Sequence, residues 1–372
     1  MDIPEFPSTP SEVDIALTGR CNLHCKYCFY ADEMAARSDL TTEQWLNFFE
    51  ECGRLGVMRL CLTGGEAFTR PDLFTLIDGA IANRMRYGLL TNGTLITEKV
   101  IEQFEHGKRR QRLEYIQVSI DGSCAEIHDL SRPNSFERTV RGLRLLQNSG
   151  LPVNIRVTIN RHNLYDLENL AHLLLEDIGV RAFSTNDAAP IGMGCQNADE
   201  ISLSAAETAE AMKIMDRLQQ RYPGRLMATA GPLAKIEMHA EMEHARATGE
   251  KTSRWQMGCL SACGCIFSKV SILHDGTIVP CHLLVGLGMG NILTDSLQEI
   301  WLHHPTLQAL RTRRQISMTQ LPGCAGCEWV EYCNGSCPGM ANQLLGDINV
   351  ANPLDCYRKF LLEKDSDYAT PS

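Results

Sequence analysis

The chain has 372 residues, 44% hydrophobic and 22% charged, with a formal net charge of −10. That length holds one large domain and a smaller one; no run of about 18 apolar residues argues for a membrane span, and the dispersed negative charge weighs against nucleic acid as a partner. Met1–Pro7 lacks the basic start and apolar core of a signal peptide, so a cytoplasmic protein is expected, where sixteen cysteines point to metal rather than to disulfides.

Residues 1–12 read as a Pro- and Ser-rich extension. Apolar β-type runs then alternate with helical stretches: strand 13–17, helix 40–55, strand 57–63, a helix from Pro71, strands 87–91 and 115–120, helix 136–148, strand 153–159, helix 164–175 and strand 180–184. Strands alternating with helices predict a parallel sheet. Six such units predict a partial (β/α)6 TIM-type barrel, an α/β fold whose sites lie at the strands' C-terminal ends. Residues 187–205 read as irregular and 204–221 as a helix. The barrel is thus expected over 13–225, a linker or bridging region over 226–258, a cysteine-rich domain over 259–363, where nine cysteines fall, and a tail over 364–372.

Cys21-x3-Cys25-x2-Cys28 follows the first strand. Three thiolates on one loop can hold an iron–sulfur cluster that wants four ligands, leaving one iron open. Zinc is the competing reading, with His24 as a conceivable fourth ligand, although closed zinc sites pair their CxxC motifs differently. Thr63-Gly64-Gly65-Glu66 ends the second strand; glycines admit close backbone approach and Glu66 offers an acceptor to an ammonium. Ser119-Ile120-Asp121-Gly122 ends the fourth strand, followed by His128 and Arg132. Thr91-Asn92-Gly93, Arg156 and Asn160 also sit at or near strand ends. Cys52 and Cys61 lie in apolar contexts and read as core residues, whereas Cys124 and Cys195 lie in loops.

The CxxxCxxC loop, with Tyr27 before the last cysteine, resembles the radical S-adenosylmethionine (SAM) enzymes. The resemblance implies that Cys21, Cys25 and Cys28 hold a [4Fe-4S] cluster whose open iron binds SAM. It implies SAM contacts from Tyr27, Gly64, Gly65, Glu66, Ser119, Arg132 and Asn160, with Glu66 on the amino group. Asp121 and His128 are read either as part of that site or as stabilisers of its loop. The C-terminal cysteines resemble the SPASM domain of peptide-modifying members, which implies two auxiliary [4Fe-4S] clusters, three in all. By that resemblance Cys324, Cys327, Cys333 and Cys356 hold one cluster. Cys281 and Cys337 serve the other, with Cys259 and Cys265 preferred and Cys263 the alternative. A structural zinc site remains the competing reading of the CxxC half.

The expected activity is a maturase that abstracts hydrogen from a ribosomal peptide or protein, giving a crosslink, an epimerisation or a backbone excision. The segment 18–70 is similar to maturases of cyanobacterial-type peptide cassettes. A sulfatase-type oxidase and cofactor biosynthesis are the alternatives within the family, and a non-catalytic metal scaffold is the alternative outside it. Sulfatase-maturing relatives place an Asp base where His282 stands, so His282 is the candidate base. The dozen residues before the first strand are too few for a leader-binding module, so a separate leader-peptide recognition protein is expected. An electron donor such as flavodoxin or ferredoxin is expected as well.

Overall fold

A computed structural model describes residues 6–228 and 230–364. Ten strands are described: β1 (Glu12–Ala16), β2 (Arg59–Thr63), β3 (Arg86–Thr91), β4 (Leu113–Ser119), β5 (Val153–Ile159), β6 (Phe183–Asp187), β7 (Leu226–Met227), β8 (Lys269–Ile272), β9 (Thr277–Val279) and β10 (Gly290–Asn291). They form one sheet in the order β10-β9-β8-β1-β2-β3-β4-β5-β6-β7. β1 to β7 run parallel in sequence order, the partial barrel that the alternating pattern predicts. The two-residue β7 extends the expected six strands at one edge.

At the other edge the cysteine-rich segment continues the sheet. β8 pairs in parallel with β1, Val13 opposite Val270, and β9 and β10 add antiparallel strands. Compositional change at 259 signals a new unit but carries no information about which sheet edge the unit covers.

The helices pack on the convex side. Helix Thr42–Leu55 starts at a capping box between Thr41 and Gln44 and stops at left-handed Gly56. Its buried residues Trp45, Phe48, Phe49 and Cys52 recur at helical spacing, each contributing about 1.5–3 kcal/mol by burial. Val13, Ile15, Leu60 and Leu62 meet this layer with almost no exposure.

The structure departs from the sequence pattern in several further places. The sixth strand starts at Phe183 rather than Val180. Val180 is buried, but its N–H bonds Leu174 O at 2.9 Å and closes the turn after the preceding helix, with Gly179 at φ +77°. The helix read over 164–175 is a 3-10 turn (Leu164–Asp166), an α-helix (Leu167–His172) and a π turn (Leu173–Asp177). Residues 226–258 contain a long helix, Gly231–Thr248. Its buried set mixes Leu233 and Met242 with His239, which blurs the apolar stripe that would reveal it.

Candidate active site

The loop bearing Cys21, Cys25 and Cys28 leaves the C-terminal end of β1 and is fastened on three sides. Asp39 accepts from Thr18 Oγ1 at 2.6 Å and from Gly19 N at 2.7 Å. Gly65 N donates to Thr18 O and Glu66 N to Arg20 O, both at 2.8 Å. Asn22 donates to Thr94 Oγ1 at 2.8 Å and accepts from Asn92 Nδ2 at 2.9 Å. A Cβ at Gly64 would lie 2.5 Å from Thr18 O and one at Gly65 2.3 Å from Arg20 O. Both glycines are therefore required by the close approach of the two loops, and Gly64 also sits at φ +129°.

Glu66 is 1% exposed. Its oxygens accept from Asn92 N (2.7 Å), Thr91 Oγ1 (2.9 Å) and Phe68 N (3.1 Å). Burial pushes its pKa up against the pull of these donors. The Thr91-Asn92-Gly93 stretch, which spacing alone left without a role, thus ties the cysteine loop to Glu66.

A second anchor lies across the loop. Arg132 Nε donates to Asp121 Oδ2 at 2.5 Å, and its Nη1 points at Cys25 Sγ at 3.7 Å. Its guanidinium lies over the Tyr27 ring, 5.3 Å from the centroid, and Tyr27 Oη also donates to Asp121 Oδ2. Asp121 Oδ1 accepts from Thr158 N at 2.7 Å. His128 Nδ1 accepts from Asp121 N at 3.1 Å and Nε2 meets Ser135 Oγ at 3.0 Å; burial lowers its pKa to about 4. Asn160 is fully buried, accepting from Ser131 Oγ and His162 N and donating to Thr158 O. Ser119 pairs in register with Arg156.

Burial raises the pKa of Cys21 and Cys28 and takes Cys25 to about 11, with Arg132 acting in the opposite sense on all three. Buried thiols make poor thiolates until a cation compensates them, and iron supplies that compensation. The donor set therefore fits a cluster. His24 is exposed. Short helices Met193–Gln196 and Ala198–Ile201, in the segment read as irregular, lie against this loop: Met193 N donates to Cys28 O at 3.1 Å and Asn197 Nδ2 to Lys26 O at 3.0 Å. Cys195 there is exposed and Cys124 half-buried, while Cys52 and Cys61 are buried.

The C-terminal thiols fall into two sets. Cys324 and Cys333 both feel the charge of Cys327 and Cys356; burial raises both, Cys333 to about 11. Cys281, raised by burial to about 12, feels Cys337 and Cys265. The Cys263 thiol hydrogen-bonds Cys265, which lowers Cys265 and raises Cys263. Cys259 sits on a bridge to Ser317, beside Gly258, whose N–H meets Cys333 O at 2.8 Å. Among the described residues no group of three or more His, Cys, Asp or Glu is arranged to hold a single metal ion. His282 is half-buried with Nε2 3.4 Å from Ile272 O, its ring 6.0 Å from that of Tyr30, and burial lowers its pKa.

Beneath these loops the concave face of the sheet is polar. Lys269 reaches Asp14 at 2.9 Å and Glu12 at 4.0 Å. Asp14 Oδ1 is buried without a hydrogen-bond partner. Tyr115 lies across Gly88, where a Cβ would meet its ring at 2.4 Å, and donates to Cys61 Sγ at 3.4 Å. This lining eluded the sequence reading, although the alternation Glu12-Val13-Asp14-Ile15 encodes it.

Comparison with known proteins agrees with this geometry. Residues 15–174 match the radical SAM superfamily and residues 263–328 match an iron–sulfur cluster-binding domain, SPASM. The AdoMet-dependent heme synthase of Methanosarcina barkeri is 30% identical over 94% of this chain and 97% of its own. The chain belongs to the radical SAM superfamily. This radical SAM/SPASM enzyme is also 27% identical to the PqqA peptide cyclase of Ruegeria pomeroyi, over 91% of this chain and 85% of the cyclase. In fold it resembles Streptococcus suis SuiB bound to precursor peptide SuiA, with a TM-score of 0.70 and 16% identity over 94% of this chain and 76% of SuiB. AdoMet-bound anSMEcpe aligns with a TM-score of 0.68 at 16% identity, over 96% and 97% of the two chains. No helix among the described residues is long and apolar enough to cross a membrane.

Proposed function

We propose that this radical SAM/SPASM enzyme is a maturase that abstracts hydrogen from a ribosomally made peptide. The observation that carries this reading is the lining of the concave face, where Glu12, Asp14, Lys269 and Tyr115 alternate donors, acceptors and both signs of charge. Such a surface complements backbone amides and mixed side chains. The PqqA peptide cyclase relative and the peptide-bound SuiB fold are consistent with the reading.

Bound at its expected sites, the cluster–SAM pair supplies a 5′-deoxyadenosyl radical and the auxiliary clusters supply an electron acceptor. The chain's own residues do the rest. Cys21, Cys25 and Cys28 hold the cluster on a loop locked by Asp39 and the Gly64-Gly65 contact. Arg132 carries a fixed positive charge beside Cys25, oriented by Asp121 and Tyr27. Ser119, in register with Arg156 at the end of β4, would contact SAM, with Gly64, Gly65, Glu66 and Tyr27 shaping its pocket; Asn160, fully buried and bonded within the chain, would act by holding the loop after β5. Glu66 acts chiefly through the loop it braces, since its oxygens already accept from the chain.

Cys324, Cys327, Cys333 and Cys356 hold one auxiliary cluster. Cys281 and Cys337 serve the other with Cys259 and Cys265. The contact between Cys263 and Cys265 argues that these two do not both serve it, which keeps Cys263 as the alternative to Cys265. His282, whose pKa burial lowers, is available as a proton acceptor. A flavodoxin- or ferredoxin-type electron donor completes the system.

The second reading is tetrapyrrole synthesis, favoured by the heme synthase relative. Two incubations separate them, one with a precursor peptide encoded beside this chain's gene, carrying deuterated residues, and one with Fe-coproporphyrin III. Deuterium in 5′-deoxyadenosine and a mass change in the peptide support the maturase. Conversion of the porphyrin with the peptide untouched overturns it.

A further inference from the structure

Lys235 projects from helix Gly231–Thr248 into a half-buried bridge between the barrel and the cysteine-rich domain. Its Nζ lies 2.8 Å from Asp187 Oδ2, at the C-terminal end of β6, and 3.5 Å from Asp355 Oδ1. Asp355 precedes Cys356, and its other oxygen accepts from Ser336 Oγ at 2.5 Å and Asn352 Nδ2 at 2.7 Å; Ser336 in turn precedes Cys337. One carboxylate thus touches the approaches to a cysteine of each auxiliary set. Although burial works against its charge, Asp187 and Asp355 hold the Lys235 ammonium's pKa well above its ordinary value. Asp187 Oδ1 is buried without a hydrogen-bond partner. The same helix continues the contact: His239 stacks on Tyr357 with ring centroids 4.1 Å apart, and Met242 packs with Trp329, Tyr357, Cys327 and Cys333.

We propose that Lys235 is an electrostatic positioning residue for the auxiliary centres, its ammonium fixing Asp355 against the cysteine loops and setting the local charge that the Cys324/Cys327/Cys333/Cys356 cluster experiences. The inference rests on the cluster assignment above and is independent of which substrate the enzyme takes. Two carboxylates around one ammonium leave one net negative charge in a half-buried region, where it is screened less than on the open surface. Cluster potentials follow nearby charge. Removing the ammonium makes reduction harder, and removing the distant carboxylate makes it easier. A residue that only held the helix in place would not produce shifts of opposite sign.

The test is a redox titration followed by electron paramagnetic resonance, on reconstituted protein carrying the Cys21/Cys25/Cys28→Ala substitutions so that only auxiliary signals remain. Lys235→Met is expected to move one auxiliary signal to a more negative midpoint, at least a tenfold change in its oxidised-to-reduced ratio at fixed potential, which is about 59 mV for one electron. Asp187→Asn moves it to a more positive midpoint, and Lys235→Arg restores the parent value. If Lys235→Met fails to assemble its clusters, the sign of the Asp187→Asn shift decides. Auxiliary signals unmoved in the variants that assemble overturn the inference while leaving the cluster assignment intact. Absence of auxiliary signals in the parent overturns both.

Discussion

Arg132 carries more of the site than its place in a motif suggests. It is 8% exposed and its partner Asp121 1% exposed, so the pair is a buried one whose rupture strands a charge. Arg132→Met should destabilise the apoprotein by about 3–5 kcal/mol, measured by chemical denaturation, and should abolish SAM cleavage. Adding Asp121→Asn should recover part of the stability and none of the cleavage, because the cation beside Cys25 stays absent. Gly65→Ala is expected to lower iron by about four per chain without unfolding the barrel, since the added methyl meets the Arg20 carbonyl, 2.3 Å away. Iron and sulfide analysis on anaerobically reconstituted protein checks this, and a full iron content in the variant would contradict the account of the loop.

At the scale of elements, helix Ala125–Ser131 is coupled to the end of β4 through His128, which takes the Asp121 N–H. Its pKa is lowered to about 4 in the folded chain, against about 6.5 when unfolded. Between these values the unfolded state binds more protons, so the stability this group contributes is present above about pH 6.5 and is lost as pH falls toward 4. The full difference is about 3 kcal/mol. Apoprotein unfolding compared across this window should show a weaker acid dependence in His128→Asn than in the parent; identical slopes would mean that the ring is not held neutral.

The order of strands and the cysteine spacings were legible because period-two apolar runs and thiol spacing are local signals. The packing of β8 on β1, the Asp121–Arg132–Tyr27 contact and the meeting of Asp187, Lys235 and Asp355 were not. Each joins residues far apart in sequence, and nothing near Lys235 marks it from an ordinary helix-surface lysine. Helix Gly231–Thr248 was missed for a related reason: its buried face is divided between the barrel core, which takes Leu233, and the cysteine domain, which takes His239 and Met242, rather than forming one apolar stripe.

Over the whole molecule, the continuous sheet makes the barrel and the cysteine-rich domain one structure around a polar concave face. β1 lies inside it where the two parts join, with the SAM-cluster loop at its end, β2 on one side and β8 of the cysteine domain on the other. Asp14 and Lys269 come from those two neighbouring strands, so this polar face is built jointly by the barrel and the cysteine-rich domain. Lys269→Met is accordingly expected to leave SAM cleavage without substrate unchanged while reducing peptide-dependent label transfer at least tenfold, measured as deuterium in 5′-deoxyadenosine. Equal losses of both would place Lys269 in the fold rather than at the substrate.

The central claim is that the Cys21/Cys25/Cys28 loop carries a SAM-cleaving centre. The direct measurement is 5′-deoxyadenosine formed from SAM by anaerobically reconstituted, chemically reduced protein, alongside the Cys21/Cys25/Cys28→Ala variant. The account predicts product from the parent and none from the variant, with iron falling from about twelve to about eight per chain. A parent full of iron that forms no 5′-deoxyadenosine, or a variant that forms as much, would contradict it.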